Sequence, residues 1–178
     1  MQLNKFTLDG KEYHLLLNGE ALFDCYEHFG YEKDLLDLIG ADGKDGFAAA
    51  AWMLATFSMQ GEMYRRWQGE DRGPYLREAQ ARAILTPADL PGLKIALTET
   101  IRAGFIRKHE DDGPVDPWLN ELTQKKNEGT SRAEYLRMVT KIIGLNAREG
   151  MILPVGVVLD MCQLEISANA TAHQEYDD

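Results

Sequence analysis

The chain has 178 residues, 44% of them hydrophobic, and carries 19 Lys and Arg against 29 Asp and Glu, a formal net charge of -10. A chain of this length buries roughly 70% of the surface its extended form exposes, so it can form a core without metal or disulfide staples. Its acidic balance is the opposite of the basic footprint that neutralises nucleic-acid phosphates or an anionic lipid leaflet, which excludes nucleic acid and membrane as expected partners.

The first elements in the chain are two short strands. Lys5-Phe6-Thr7-Leu8 and Lys11-Glu12-Tyr13-His14-Leu15-Leu16 flank Asp9-Gly10, a pair that tolerates the positive φ of a type I′ hairpin turn. This register sets Phe6 opposite Tyr13 and Leu8 opposite Lys11, and it gives the hairpin an apolar face that needs helices to cover it. Asn18 then caps a helix running to Phe29, with Leu22, Cys25 or Tyr26, and Phe29 at helical spacing and Gly30 as its stop. A short helix from Lys33 to Ile39 ends in the same way at Gly40, and Asp42 to Gly46 reads as a polar loop.

A long helix follows from Phe47 to Trp67. At about 100° per residue, Phe47, Ala51 and Leu54 fall on one side, and Trp52, Met59, Met63 and Trp67 fall near the opposite side. Two apolar faces require cover on both. Either the helix is central and its own chain surrounds it, or the Trp and Met face meets a subunit or partner, as those residue types often do.

Beyond a charged loop at Glu70 to Gly73, a helix is expected over Tyr75 to Leu85. Thr86-Pro87-Ala88-Asp89-Leu90 is a helix-start signal, with Thr86 as cap and Pro87 at the first position. The next helix, from Pro91 or Gly92 to Lys108, presents Leu93, Leu97, Ile101 and Phe105 on one face. Glu110 to Pro117 and Gln124 to Gly129 are acidic or polar and hold at most a short helix around Trp118 to Leu122. Ser131 and Glu134 have capping-box spacing, as do Asn146 and Glu149. Leu136, Val139, Ile142 and Ile143 form a stripe before Gly144. Pro154 opens a last helix to Leu164, with Val158, Leu159 and Cys162 inward.

The expected fold is mainly α, an N-terminal β-hairpin packed on a helical bundle, followed by a linker and a small C-terminal helical extension. The chain divides into a chaperone-like hairpin-and-helix domain over 1–108, an acidic and polar linker over 109–130, a helical extension over 131–166 and a disordered tail over 167–178. Met1 to Gly10 lacks the apolar core of a signal peptide, and the run from Phe47 to Phe57 is about half the length that spans a bilayer, so a cytoplasmic protein is expected.

Motifs of reactive chemistry are scarce. There is no GxGxxG, and Gly43-Lys44 runs into Asp45 without the glycine spacing of a P-loop, so no nucleotide cofactor is expected. His14, His28, His109 and His173 are scattered without a metal-ligand pattern, and Asp42, Asp45 and Gly46 lack the ligand alternation of a calcium loop. Ser58, Ser131 and Ser167 occupy no GxSxG setting. Cys25 and His28 lie one turn apart, a weak nucleophile signature that lacks an orienting third group; Cys25 and Cys162 read as buried reduced thiols. No catalytic, metal or cofactor residues are assigned.

Charge is segregated. Residues 1–60 carry 4 basic and 10 acidic side chains, 61–110 carry 9 and 7, and 111–178 carry 6 and 12. Arg65, Arg66, Arg72, Arg77 and Arg82 interleave with Glu62, Glu70, Asp71 and Glu78, the pattern of an internally paired, solvated face.

Phe6-Thr7-Leu8-Asp9-Gly10-Lys11-Glu12-Tyr13, Leu17-Asn18-Gly19-Glu20-Ala21-Leu22, His28-Phe29-Gly30 and Asp34-Leu35-Leu36, continued by Ala48 to Leu54 and Leu85 to Leu90, form a recognisable succession. In this order and spacing the chain resembles the tail assembly chaperones of long-tailed bacteriophages and prophages, small proteins encoded just upstream of the tape measure protein. The likeness spans residues 3–107. Gly144-Leu145 and Leu153-Pro154-Val155-Gly156 before Val158-Leu159-Asp160 are similar to the extension that some of them carry. The resemblance implies a non-enzymatic protein of the bacterial host cytoplasm that coats the tape measure protein and recruits tail tube subunits, with self-association possible. A structural or connector component of a prophage tail is the alternative. The family supplies no binding motif; Trp52, Met59, Met63 and Trp67 are the candidate partner contacts from the helical-face reading.

Overall fold

A computed structural model describes residues 3–31, 33–107 and 131–174. Strands β1 (Asn4–Leu8) and β2 (Lys11–Leu15) form the expected antiparallel hairpin, with Phe6 paired to Tyr13 and Leu8 to Lys11. Asp9 and Gly10 both have positive φ, 49° and 69°, as a type I′ turn requires. Leu8, Tyr13 and Leu15 are buried on the helices behind them.

Helix α1 (Gly19–Phe29) is capped by the Asn18 side chain, which accepts from the Ala21 N–H at 2.9 Å, and Gly30 follows at φ 100°. Helix α2 (Leu35–Gly40) is capped by Asp34, two residues later than the expected Lys33 start, and it incorporates Gly40 rather than stopping before it.

The long helix α3 (Gly43–Trp67) starts one turn earlier than the composition of Asp42 to Gly46 suggests. The expected polar loop is its first turn. Gly46 fits closely against the preceding turn, since an atom at its Cβ position would lie 1.9 Å from the Ala41 carbonyl oxygen.

Most of α3 is interior. Ala50, Ala51, Met53, Leu54 and Phe57 are fully enclosed, as a helix with apolar residues nearly all round must be. Strand β2 reaches the α3 backbone itself: the Leu16 N–H donates to the Phe57 carbonyl at 3.1 Å. Gly61 permits that approach, since a Cβ there would sit 2.1 Å from the His14 carbonyl oxygen.

The segment after α3 is pinned by the buried carboxylate of Glu62. It accepts from Arg66 Nε and the Gly73 N–H at 2.7 Å each, while Arg65 reaches both Glu62 and Glu70. With Arg82 on Glu78 at 2.7 Å, much of the arginine stripe is paired within the chain.

Helices α4 (Glu78–Ile84) and α5 (Leu90–Phe105) follow. Thr86 does not cap α5. It closes a turn on the Asp89 carboxylate through its N–H and hydroxyl, and Asp89 takes the N-cap position with Pro91 in the first turn. Leu93, Leu97 and Ile101 are buried, whereas Phe105, expected on the same face, is exposed at the helix end.

The expected linker and its short helix at Trp118 to Leu122 lie outside the described residues. Structure resumes with α6 (Arg132–Met138), which passes into a π-helical turn over Val139–Ile143 and ends at Gly144 with φ 73°. Helices α7 (Ala147–Ile152) and α8 (Val155–Gln174) complete the fold. Both expected capping boxes are formed, Ser131 with Glu134 and Asn146 with Glu149. The stretch expected to be disordered from Ser167 is helical through Gln174; Ala168, Ala170 and Ala172 are strong helix formers that let α8 propagate.

These C-terminal helices share the core of the first part. Tyr135, Val139, Val158 and Cys162 pack in one apolar cluster with Leu17, Phe23, Leu54 and Leu97. The Tyr135 ring meets Phe23 edge-on at 5.3 Å, and Arg107 Nε donates to Asp160 at 3.2 Å.

Candidate functional site

The face of α3 that carries Trp52, Met59, Met63 and Trp67 is covered unevenly. Trp52 is half-buried and belongs to an aromatic cluster, its indole stacked on His28 at 4.3 Å with 10° between the planes and edge-on to Phe29 at 5.1 Å. Further along α3 the cover is incomplete. Met59, Met63 and Trp67, spaced by four residues, are 36%, 41% and 48% exposed on a helix whose other apolar residues are nearly all buried. Trp67 leans on Tyr64 at 5.8 Å.

Met59 and Met63 form part of the wall of a groove of about 530 Å³ where α1, α3, α6 and α7 meet. Its apolar surface also includes Leu136 and Met151. Gln60, buried in its lining, accepts at Oε1 from the Asn18 amide at 3.1 Å, and the same amide donates to the Ile152 carbonyl at 3.3 Å. The lining is therefore braced by a buried hydrogen-bond network, while its thioether side chains remain free to adapt.

The rims carry charge. Glu20, Asp24 and Glu27 follow one another at i, i+4 and i+7 along α1, so they share one helix face. Arg132 from α6 reaches all three: it is bound to Glu20, lies 3.3 Å from Glu27 and 3.9 Å from Asp24. Burial raises the Asp24 carboxyl above its ordinary value, and Glu20 and Glu27 push in the same direction against Arg132. Arg148 from α7 stands exposed at the groove edge.

The groove joins residues from positions 20 to 152, and only its α3 contribution is among the residues singled out from helical periodicity as candidate contacts. Met59 and Met63 are brought together there with Met151 and Leu136; Trp67 lies one turn beyond them, and Trp52 is drawn into the cluster with His28. The acidic stripe of α1 had a sequence signal in its i, i+4, i+7 spacing, but its position beside Met59 and Met63 depends on how the helices pack.

The other chemistry-bearing residues stand elsewhere. Cys25 is fully buried, and its burial, aided by the neighbouring Asp24 charge, pushes the thiol far above the ordinary range. Burial also pushes Cys162 up, to about 12. Both shifts oppose thiolate formation. Among the described residues no hydrogen bond joins Cys25 to His28, and no three His, Cys, Asp or Glu side chains are grouped so as to hold a metal ion. Among the same residues no helix is long and apolar enough to cross a membrane.

Compared with protein-family models, curated proteins and solved structures, the chain finds no match in any of the three.

Proposed function

We propose that the protein is a non-enzymatic tail assembly chaperone of a phage or prophage, which holds the tape measure protein through the Met59–Met63–Trp67 face and helps to recruit tail tube subunits. One observation carries the docking part of this reading: the exposed apolar stripe of α3 opens onto a preformed groove, on a helix whose remaining apolar surface is consumed by the core. Large side chains left uncovered over a groove mark a protein contact far more often than scattered surface residues do. Methionine suits a client with a long, repetitive and variable apolar stripe, because its unbranched thioether repacks against different shapes at little strain.

The identity of the client rests on the sequence resemblance over residues 3–107. The net charge of -10 supports a chaperone role in a simple way, since a highly charged coat keeps an apolar client dispersed. The test is co-expression with the long reading frame expected to follow this gene. The long protein should co-purify with the wild-type chain and not with Met59→Glu/Met63→Glu. Recovery of the chain from purified mature tails would instead support a structural tail component.

A further inference from the structure

We propose that the groove accepts an amphipathic helix of a partner protein in one preferred orientation, with a Lys or Arg beside that helix's apolar stripe seated against Asp24 and Glu27. This inference rests on the docking reading above and adds the chemistry and direction of the occupant.

The argument is one of charge complementarity across an apolar floor. Glu20, Asp24 and Glu27 line one side of α1, and the single guanidinium of Arg132 is divided among them, closest to Glu20 and farthest from Asp24. Three carboxylates facing one cation leave that rim two negative charges in excess. On α7, Arg148 is exposed at the edge of the same groove. A helix that lays its apolar stripe on Met59, Met63, Met151 and Leu136 brings its flanks near the α1 acids and near Arg148. A basic flank over α1 is attracted, and the same flank turned toward Arg148 is repelled. Such rims fix register and orientation, while the apolar floor supplies the contact area.

A second copy of this chain fits less well. It carries the same net charge of -10, and its own Met59–Met63 stripe is bordered by the same acidic α1 face, so pairing would bring acid toward acid.

The experiment uses the full chain and two 18-residue amphipathic helical peptides with the same leucine stripe, one flanked by Lys and the other by Glu. The Lys-flanked peptide is expected to bind at least about fivefold more tightly. Asp24→Asn/Glu27→Gln should lower its affinity about three- to tenfold, as expected for two partly exposed ion pairs, and leave the Glu-flanked peptide within twofold. Asp45→Asn removes one charge about 21 Å away along α3 and should change neither peptide by more than about 1.5-fold.

Equal binding of the two peptides, or an equal loss with Asp45→Asn, overturns the orientation inference. Met63→Glu separates the two levels: loss of both peptides with no effect of the charge variants leaves docking standing and removes the orientation, whereas no loss with Met63→Glu removes both. Sedimentation showing a wild-type dimer that Met63→Glu dissolves assigns the groove to a second copy and likewise overturns the proposal.

Discussion

The Asn18 amide donates to Gln60 Oε1 at 3.1 Å across 42 positions of sequence, and it also donates to the Ile152 carbonyl. The same side chain caps α1 through the Ala21 N–H. One fully buried residue thus joins the start of α1, the middle of α3 and the end of α7, three of the four elements around the groove. Asn18→Ala removes the cap and strands two buried acceptors, and it is expected to destabilise the protein by about 2–4 kcal/mol in denaturant unfolding. Asn18→Asp keeps the cap but turns a buried carboxylate oxygen toward both acceptors, so it should not recover the loss.

Gly61 offers a test in which two principles oppose each other. Helix propensity alone predicts that Gly61→Ala stabilises α3 by about 1 kcal/mol. The close approach to the His14 carbonyl predicts the reverse, because the obstructing atom is backbone and cannot rotate away. A net destabilisation of about 2 kcal/mol is expected from overpacking, and an unfolding midpoint at or above that of wild type would contradict the description of the β2–α3 contact.

The acid side of the stability profile is set partly by His14. Burial, with Arg65 and Lys5 nearby, lowers its pKa below the ordinary 6.5, although Glu12 and Glu70 oppose the shift. The unfolded chain therefore takes up this proton first, and the His14 contribution is lost as pH falls from about 6.5 through the folded value. His14→Gln should flatten this part of the profile.

Asp24 has the opposite sign. Its folded pKa is raised, so its contribution is present below 3.8 and is lost as pH rises through the folded value. Asp24→Asn is accordingly expected to raise the unfolding midpoint at pH 7, with the difference from wild type shrinking toward pH 4. A side chain that destabilises the free protein at a groove rim is the pattern expected where binding, rather than folding, uses the charge.

Both cysteines should resist modification. With Cys25 and Cys162 fully buried and their thiols pushed up, an aromatic disulfide reagent at pH 8 is expected to label neither in the native state and both after unfolding. Rapid native labelling of Cys25 would revive a role for it together with His28.

The sequence was legible where a signal is local. Asp9-Gly10 specified its turn because few residues tolerate positive φ twice in succession, and Asn18, Ser131 and Asn146 specified helix starts because a cap and its N–H lie three residues apart. Local reading failed where one stretch fits more than one local conformation, as at Gly43 to Gly46, which begin α3 instead of forming a loop, and at Thr86, which closes a turn on Asp89 instead of capping α5. The groove was legible only through Met59 and Met63. Glu20 and Arg132 are separated by 112 positions, and no periodicity within one helix reports a rim assembled from four.

The most direct test of the docking face is solubility and co-purification of the long partner expressed with wild-type chain or with Met59→Glu/Met63→Glu, after circular dichroism and unfolding have shown that the variant is folded. The account predicts a soluble complex with the wild type and an insoluble, uncaptured partner with the variant. Equal capture by both proteins, or no capture by the wild type, would contradict it.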